Sequence, residues 1–227
     1  MQVSAERILW GVGTSRTLRA HWMLHELGLA YERKPITSRS GETHTPEYIA
    51  LNPSRKIPTL VDGDFVLAES AAIVNYLATA YGTAKGLQPP ADVKMRARYD
   101  QWCFFTMMEL DANTLYVIRK HEDLHAIYGE APAALDAARK GFALQAEAAA
   151  SRLRDIGPYL LGDAFSGADI LLTTCLTGAI RRKIELPGLL LDYLKRTTAR
   201  PAYQSAFAAN QRQPTEKTHE QQTTETR

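Results

Sequence analysis

The sequence predicts an α/β unit over residues 1–82 followed by an all-helical domain over residues 91–210, and three observations carry that division. The first eighty residues alternate short apolar runs with helical spacing and hold a hairpin signal at Asp62-Gly63. Beyond Pro90 the strand signal vanishes and apolar residues recur at helical intervals. The chain's 227 residues, 45% of them hydrophobic and 23% charged, are enough for one large or two ordinary domains with a substantial core.

Taken in order, Arg7-Ile8-Leu9-Trp10-Gly11 is an apolar run closed by glycine and reads as the first strand. The loop Gly11 to Ser15 ends in two candidate caps. Ala20, Met23, Leu24 and Leu27 follow at the i, i+3, i+4, i+7 spacing of an amphipathic helix, and Gly28 closes it. Tyr31 to Ile36 reads as a second strand. Residues 38–52 are polar and irregular, with one helical turn near Pro46 to Leu51. Pro58 then stands at the first residue of a strand, where its missing N–H costs least. Asp62-Gly63 between two apolar runs marks a tight turn, because such turns need a positive φ. Glu69-Ser70 precedes Ala71, Ile73, Tyr76, Leu77 and Ala80, a helix with Ser70 as its expected N-cap.

A strand–helix–strand unit joined to a hairpin demands a mixed sheet, since the first crossover makes parallel strands and the hairpin antiparallel ones. This is the thioredoxin-like layout. Residues 83–90, with Gly86, Pro89 and Pro90, read as a linker. One long helix is expected to about Lys120, another over Ala131 to Ile156, and further helices over Leu186 to Thr197 and Pro201 to Ala209. Ser166-Gly167-Ala168-Asp169 has the form of a capping box. Residues 211–227 contain no apolar side chain and read as a disordered tail.

Composition excludes several classes. A net charge of +2 argues against nucleic acid and acidic membrane surfaces. The two cysteines, Cys103 and Cys175, lie far apart without metal-ligand spacing, and an intracellular, reducing compartment is expected. Met1 to Arg7 lacks the pattern of a signal peptide, and no run approaches about 18 apolar residues. A soluble, cytoplasmic protein is expected.

Five motifs in order resemble the cytosolic glutathione transferases, in particular bacterial, serine-type members. They are Ser15-Arg16-Thr17-Leu18-Arg19, the stretch Asn52 to Leu60, Glu69-Ser70-Ala71-Ala72-Ile73, the stretch Leu161 to Asp169, and Arg200-Pro201-Ala202-Tyr203. Together they span about the first 210 residues. The resemblance implies a cis Ile57–Pro58 bond and a site for glutathione as co-substrate. At the Pro58 bend, the N–H and C=O of Ile57 would pair with its cysteinyl backbone like an added strand. Glu69 and Ser70 would hold its γ-glutamyl end, and Lys56 its carboxylates or backbone. Arg39 and His44 are weaker candidates for the glycyl carboxylate.

The implied chemistry needs a thiolate, and a free thiol with a pKa near about 8.5 is mostly protonated at neutral pH. Ser15 takes the family position of the hydroxyl that stabilises it, with Thr14 as the alternative. No tyrosine or cysteine lies in that loop. The resemblance further implies an apolar electrophile admitted by the helical domain, transfer of the glutathionyl group to it, and a homodimer. An isomerase, a peroxidase and a non-catalytic interaction module are the other readings. No metal is expected. His21 and His25, spaced i, i+4 without a third ligand, read as surface or interface residues. Cys103 and Cys175 read as core, as do Tyr99, Trp102, Phe105 and Met108, which also qualify as lining of an apolar site.

Overall fold

A computed structural model of the chain describes residues 7–212. Residues 213–227 of the polar tail read from composition lie outside the described residues, whereas Gln211 and Arg212 are held by hydrogen bonds. The chain divides into two compact units, one built from residues 7–85 with 201–212, the other from residues 86–200.

The first unit is a four-stranded mixed sheet in the order β2-β1-β3-β4. Strand β1 (Arg7–Trp10) pairs parallel with β2 (Glu32–Lys34) and antiparallel with β3 (Thr59–Asp62), which pairs antiparallel with β4 (Phe65–Ala68). The thioredoxin-like layout expected from the sequence is therefore present. The pleat sends Ile8, Trp10 and Val61 to one face, where they pack with Ile36, Tyr48, Leu51 and Ile57. Leu9 and Leu60 face the other way and are fully buried. The hairpin loop is Gly63-Asp64 rather than Asp62-Gly63. Gly63 takes φ 62° at the first loop position, and Asp62 stays in the strand. There Asp62 accepts hydrogen bonds from the hydroxyls of Tyr76 and Tyr81 at 2.9 and 2.6 Å.

Helix α1 (Ser15–Leu27) has Thr14 as its N-cap and Gly28, at φ 67°, as its αL C-cap. Helix α2 (Pro46–Leu51) follows a short 3₁₀ turn at Glu42–His44. Helix α3 (Ser70–Tyr81) begins one residue earlier than expected: Glu69 is the N-cap and Ser70 the first helical residue. The final helix α10 (Pro201–Ala209), read from sequence with the helical domain, packs on α1 of this first unit. An apolar pattern says that a helix has a buried face but not which element covers it. Here Tyr203 meets Trp22 edge-on at 4.8 Å between ring centroids.

The second unit holds α4 (Val93–Phe105), α5 (Tyr116–Ile118), α6 (His125–Tyr128), α7 (Pro132–Leu153), α8 (Gly167–Arg181) and α9 (Gly188–Thr198). The single helix expected to Lys120 is instead α4 followed by π-helical turns at Thr106–Leu115 and Arg119–Asp123. A local cause is visible at Thr114. Its hydroxyl donates to the Leu110 carbonyl at 2.7 Å, competing with the backbone N–H for the α-helical bond. Helix α8 is buried through almost its whole length and starts at the Ser166/Asp169 capping box. Cys103 and Cys175 are buried and not joined in a disulfide. Among the described residues, no helix is long and apolar enough to cross a membrane, and no cluster of His, Cys, Asp and Glu is arranged to hold a metal ion.

Candidate functional site

Strand register gathers the sequence-predicted residues of the first unit at one edge of the sheet. Trp10 pairs with Lys34 on one side and Thr59 on the other, and Thr59 pairs with Ala68. Those four residues are the points where β1, β2 and β4 end and β3 begins. The connections beyond them therefore open on the same edge: Gly11 to Ser15, Pro35 to Thr45, Lys56 to Pro58, and Glu69 to Ser70.

The first connection is held through the N–H groups of Gly11 to Thr14 and the carbonyls of Gly11 and Thr14. The Gly11 N–H donates to the Lys34 carbonyl at 2.9 Å and the Val12 N–H to the Ile36 carbonyl at 3.0 Å. Gly11 takes φ 112°, and a Cβ there would stand 2.6 Å from Ile57 Cβ, so only glycine lets β1 run this close to Ile57. Its carbonyl accepts from His21 Nε2 at 3.1 Å, while His21 Nδ1 accepts from the Tyr31 hydroxyl at 2.7 Å. His21 is fully buried, which corrects its reading as a surface or interface residue. Burial pushes its pKa down to about 4; the Gly11 bond opposes that, and the charges of His25 and Arg33 add to it. The ring is neutral at pH 7, and this pairing assigns its proton to Nε2.

Thr14 and Ser15 divide the labour of the helix start. Thr14 Oγ1 accepts from the Thr17 N–H at 3.0 Å, and the Thr14 N–H donates to Thr17 Oγ1 at 3.0 Å, a reciprocal box with threonine at both ends. Ser15, the first helical residue, is half-buried, and its hydroxyl makes no hydrogen bond among the described residues.

The Ile57–Pro58 bond is cis. Ile57 lies just outside the ladder that starts at Thr59, and its side chain is buried in the Trp10–Tyr48 cluster. The preceding turn is held from α2. The Lys56 carbonyl accepts from the Tyr48 hydroxyl at 2.5 Å and from Asn52 Nδ2 at 2.9 Å. Asn52 Nδ2 also donates to Thr59 Oγ1 at 3.0 Å. The Lys56 side chain is exposed, as are those of Arg39 and His44.

Glu69 is a non-glycine residue at φ 69°, ψ 112°, a conformation that persists only where its surroundings impose it and that clusters at functional sites. Its side chain is exposed and takes no part in capping the helix. Ser70 is buried, and its Oγ accepts from Arg19 Nη1 at 3.1 Å. That bond leaves the Ser70 proton free to be donated. It also sets a fully buried guanidinium behind the N-terminus of α3, where the helix dipole already favours an anion. Sequence reasoning quoted Arg19 within a motif but assigned it no role. It placed His21 at the surface and missed Asn210 altogether; the signal available for His21 was its place between Thr17 and Leu24, each one turn away on the same face of α1.

Known proteins match this framework. The glutathione S-transferase N-terminal domain family matches residues 5–79. A glutathione S-transferase-like protein of Aspergillus terreus is 39% identical over 99 residues, 43% of each chain. Glutathione S-transferase D7 of Drosophila melanogaster is 42% identical over 91 residues, 40% of this chain and 41% of its own. These alignments span less than half the length of those curated relatives. Among solved structures, the theta class glutathione S-transferase of the citrus canker pathogen Xanthomonas axonopodis pv. citri, with glutathione bound, superposes with a TM-score of 0.75. It is 32% identical and covered over 97% of its length by 89% of this chain. With a matching N-terminal domain and an identity of that size along nearly a whole solved relative, this chain belongs to the cytosolic glutathione S-transferase family.

Proposed function

We propose that the protein transfers glutathione to small apolar electrophiles. The observation that carries this reading is the shared sheet edge on which the Ser15 loop, Ile57 and the Glu69-Ser70 helix start all open. Ile57, outside the ladder, offers its backbone N–H and C=O to the cysteinyl residue of glutathione. Ser70, with Arg19 behind it, and the α3 N-terminus receive the γ-glutamyl carboxylate. The exposed Glu69 carboxylate pairs with the ammonium of the same residue. Lys56, exposed at the end of the Tyr48-braced turn, meets the remaining carboxylate or backbone. Ser15 donates to the thiolate, because the Thr14 hydroxyl is engaged in the capping box. Family membership and the glutathione bound in the Xanthomonas relative support the ligand.

We further infer a homodimer, supported by the apolar side chains of Phe65 and Val66, which are exposed on the edge strand β4. Sedimentation equilibrium at twice the chain mass is the expected result.

Calorimetry with glutathione and an S-alkyl analogue tests the ligand, and no binding of either overturns it. A panel of electrophiles and peroxides then separates transferase from isomerase, peroxidase or silent binding module. For Ser15→Ala, the thiolate absorbance titration of bound glutathione is expected to move to higher pH, with turnover falling by about a hundredfold. An unmoved titration in Ser15→Ala with a raised one in Thr14→Ala would transfer the role to Thr14.

A further inference from the structure

We infer that Asn210, nearly two hundred residues from the loop it touches, is a positioning residue for thiol activation; the inference rests on the reading of the Gly11–Ser15 connection as the thiol site. Asn210 terminates α10, its N–H donating to the Ala206 carbonyl at 2.8 Å, and it is 4% exposed. Each of its other polar groups is spent on the β1–α1 connection. Its backbone carbonyl accepts from the Gly13 N–H at 2.8 Å. Its side-chain Oδ1 accepts from the Thr17 hydroxyl at 2.7 Å, and its Nδ2 donates to the Thr14 carbonyl at 3.1 Å.

The three bonds fall on the residues that determine where the Ser15 hydroxyl points. Gly13 sets the loop's entry at φ 83°, Thr14 is the cap immediately before Ser15, and Thr17 closes the capping box around it. A buried side-chain amide has donor and acceptor in fixed opposition, so Asn210 can satisfy Thr14 and Thr17 together only in one arrangement of the first turn of α1. The hold is shared by neighbouring residues of the same segment. Arg33 Nη1 donates to the Ala209 and Gln211 carbonyls at 3.1 and 2.9 Å. Arg212 pairs with the buried Glu42 at 3.0 Å, in the connection between β2 and α2. The segment from residue 209 to 212 thereby braces two of the four connections on the site edge. A donor displaced by a fraction of an ångström loses much of its effect on a developing or resident charge.

The test compares wild type, Asn210→Ala, Asn210→Asp and Ser15→Ala in the full chain, with glutathione affinity from calorimetry and the bound thiol's pKa from thiolate absorbance. Asn210→Ala removes both side-chain bonds. Asn210→Asp keeps the shape and the acceptor for Thr17 but sets an oxygen against the Thr14 carbonyl. The expected result is glutathione affinity within about threefold of wild type in both, with the thiol pKa raised by roughly half to one unit in Asn210→Ala and further in Asn210→Asp. An unchanged thiol pKa in a folded Asn210 variant overturns the inference. So does failure of both variants to fold, which assigns Asn210 to stability alone. A raised pKa in Asn210→Ala beside an unmoved Ser15→Ala sustains the positioning role and removes Ser15 as donor. Absence of glutathione binding by wild type overturns both readings.

Discussion

Replacing Asp169 by alanine is expected to lower the stability of the helical unit by about 4 kcal/mol, with a fall in Tm of roughly 10 °C. Asp169 is fully buried and accepts four hydrogen bonds: Leu160 N–H at 2.9 Å, Ser166 N–H at 2.8 Å, Ser166 Oγ at 2.7 Å and Tyr193 Oη at 2.8 Å. Alanine strands all four donors in the interior, and each unmade buried bond costs about 1–3 kcal/mol before relaxation. The carboxyl's pKa is net raised by burial, with the bonds from Leu160, Ser166 and Tyr193 opposing that rise. Tyr193→Phe, which deletes only one donor, is expected to cost about a quarter as much. Urea unfolding of the three proteins checks the order; a loss below about 1 kcal/mol in Asp169→Ala contradicts it.

The second large effect is a pH dependence centred on His21. Its folded pKa lies at about 4, against an ordinary 6.5 in the unfolded chain. Between those values the unfolded chain binds the proton and the folded chain does not. The His21 contribution is therefore intact above pH 6.5 and is lost progressively as pH falls toward 4, where the loss reaches about 3 kcal/mol. The groups facing the ring are the Gly11 carbonyl, the Tyr31 hydroxyl, and the charges of His25 and Arg33. His21→Gln keeps a side-chain donor for Gly11 without a titrating ring. The difference in unfolding free energy between wild type and His21→Gln, followed from pH 7 to 4, is expected to shrink by about that amount. A constant difference refutes the assignment.

Much of the fold was legible because the signals were local. Helix α1 announced itself through Ala20, Met23, Leu24 and Leu27 and its closing Gly28, and Ser166 with Asp169 formed the capping box that their spacing suggested. Slips of one residue occurred where two neighbours were chemically equivalent as caps or turn residues. Glu69 precedes Ser70 as N-cap, and the hairpin turns on Gly63-Asp64, while of the two candidate caps before α1 it is Thr14 that holds the helix start. Only backbone dihedrals distinguish such pairs. The π-helical turns after Phe105 were invisible because apolar spacing does not report which carbonyl a threonine hydroxyl occupies.

At the candidate site, Ile57, Pro58, Glu69 and Ser70 were readable as a continuous stretch around a proline, a hairpin and a helix start. Their common edge with Ser15 required strand register. Arg19, His21 and Asn210 act by hydrogen bonds to residues 51, 10 and up to 197 positions away. Contacts of that separation leave no periodic trace in the chain, and a polar residue on a buried helical face or at a helix end has several bland explanations.

The return of α10 to α1 also orders the protein's birth. Residues 86–200 are contiguous and are complete as soon as they leave the ribosome. The sheet unit is split, with helix α10 and Asn210 translated after residues 86–200. Its strands, made first, must wait through the synthesis of some 115 intervening residues before Tyr203 reaches Trp22 and Asn210 reaches Thr14. A nascent chain halted before Pro201 therefore carries the strand framework of the candidate site with its first loop still unbraced. Closure of the sheet unit therefore waits for translation of the helical unit, and the brace on the Gly11–Ser15 connection forms only once Asn210 has been made.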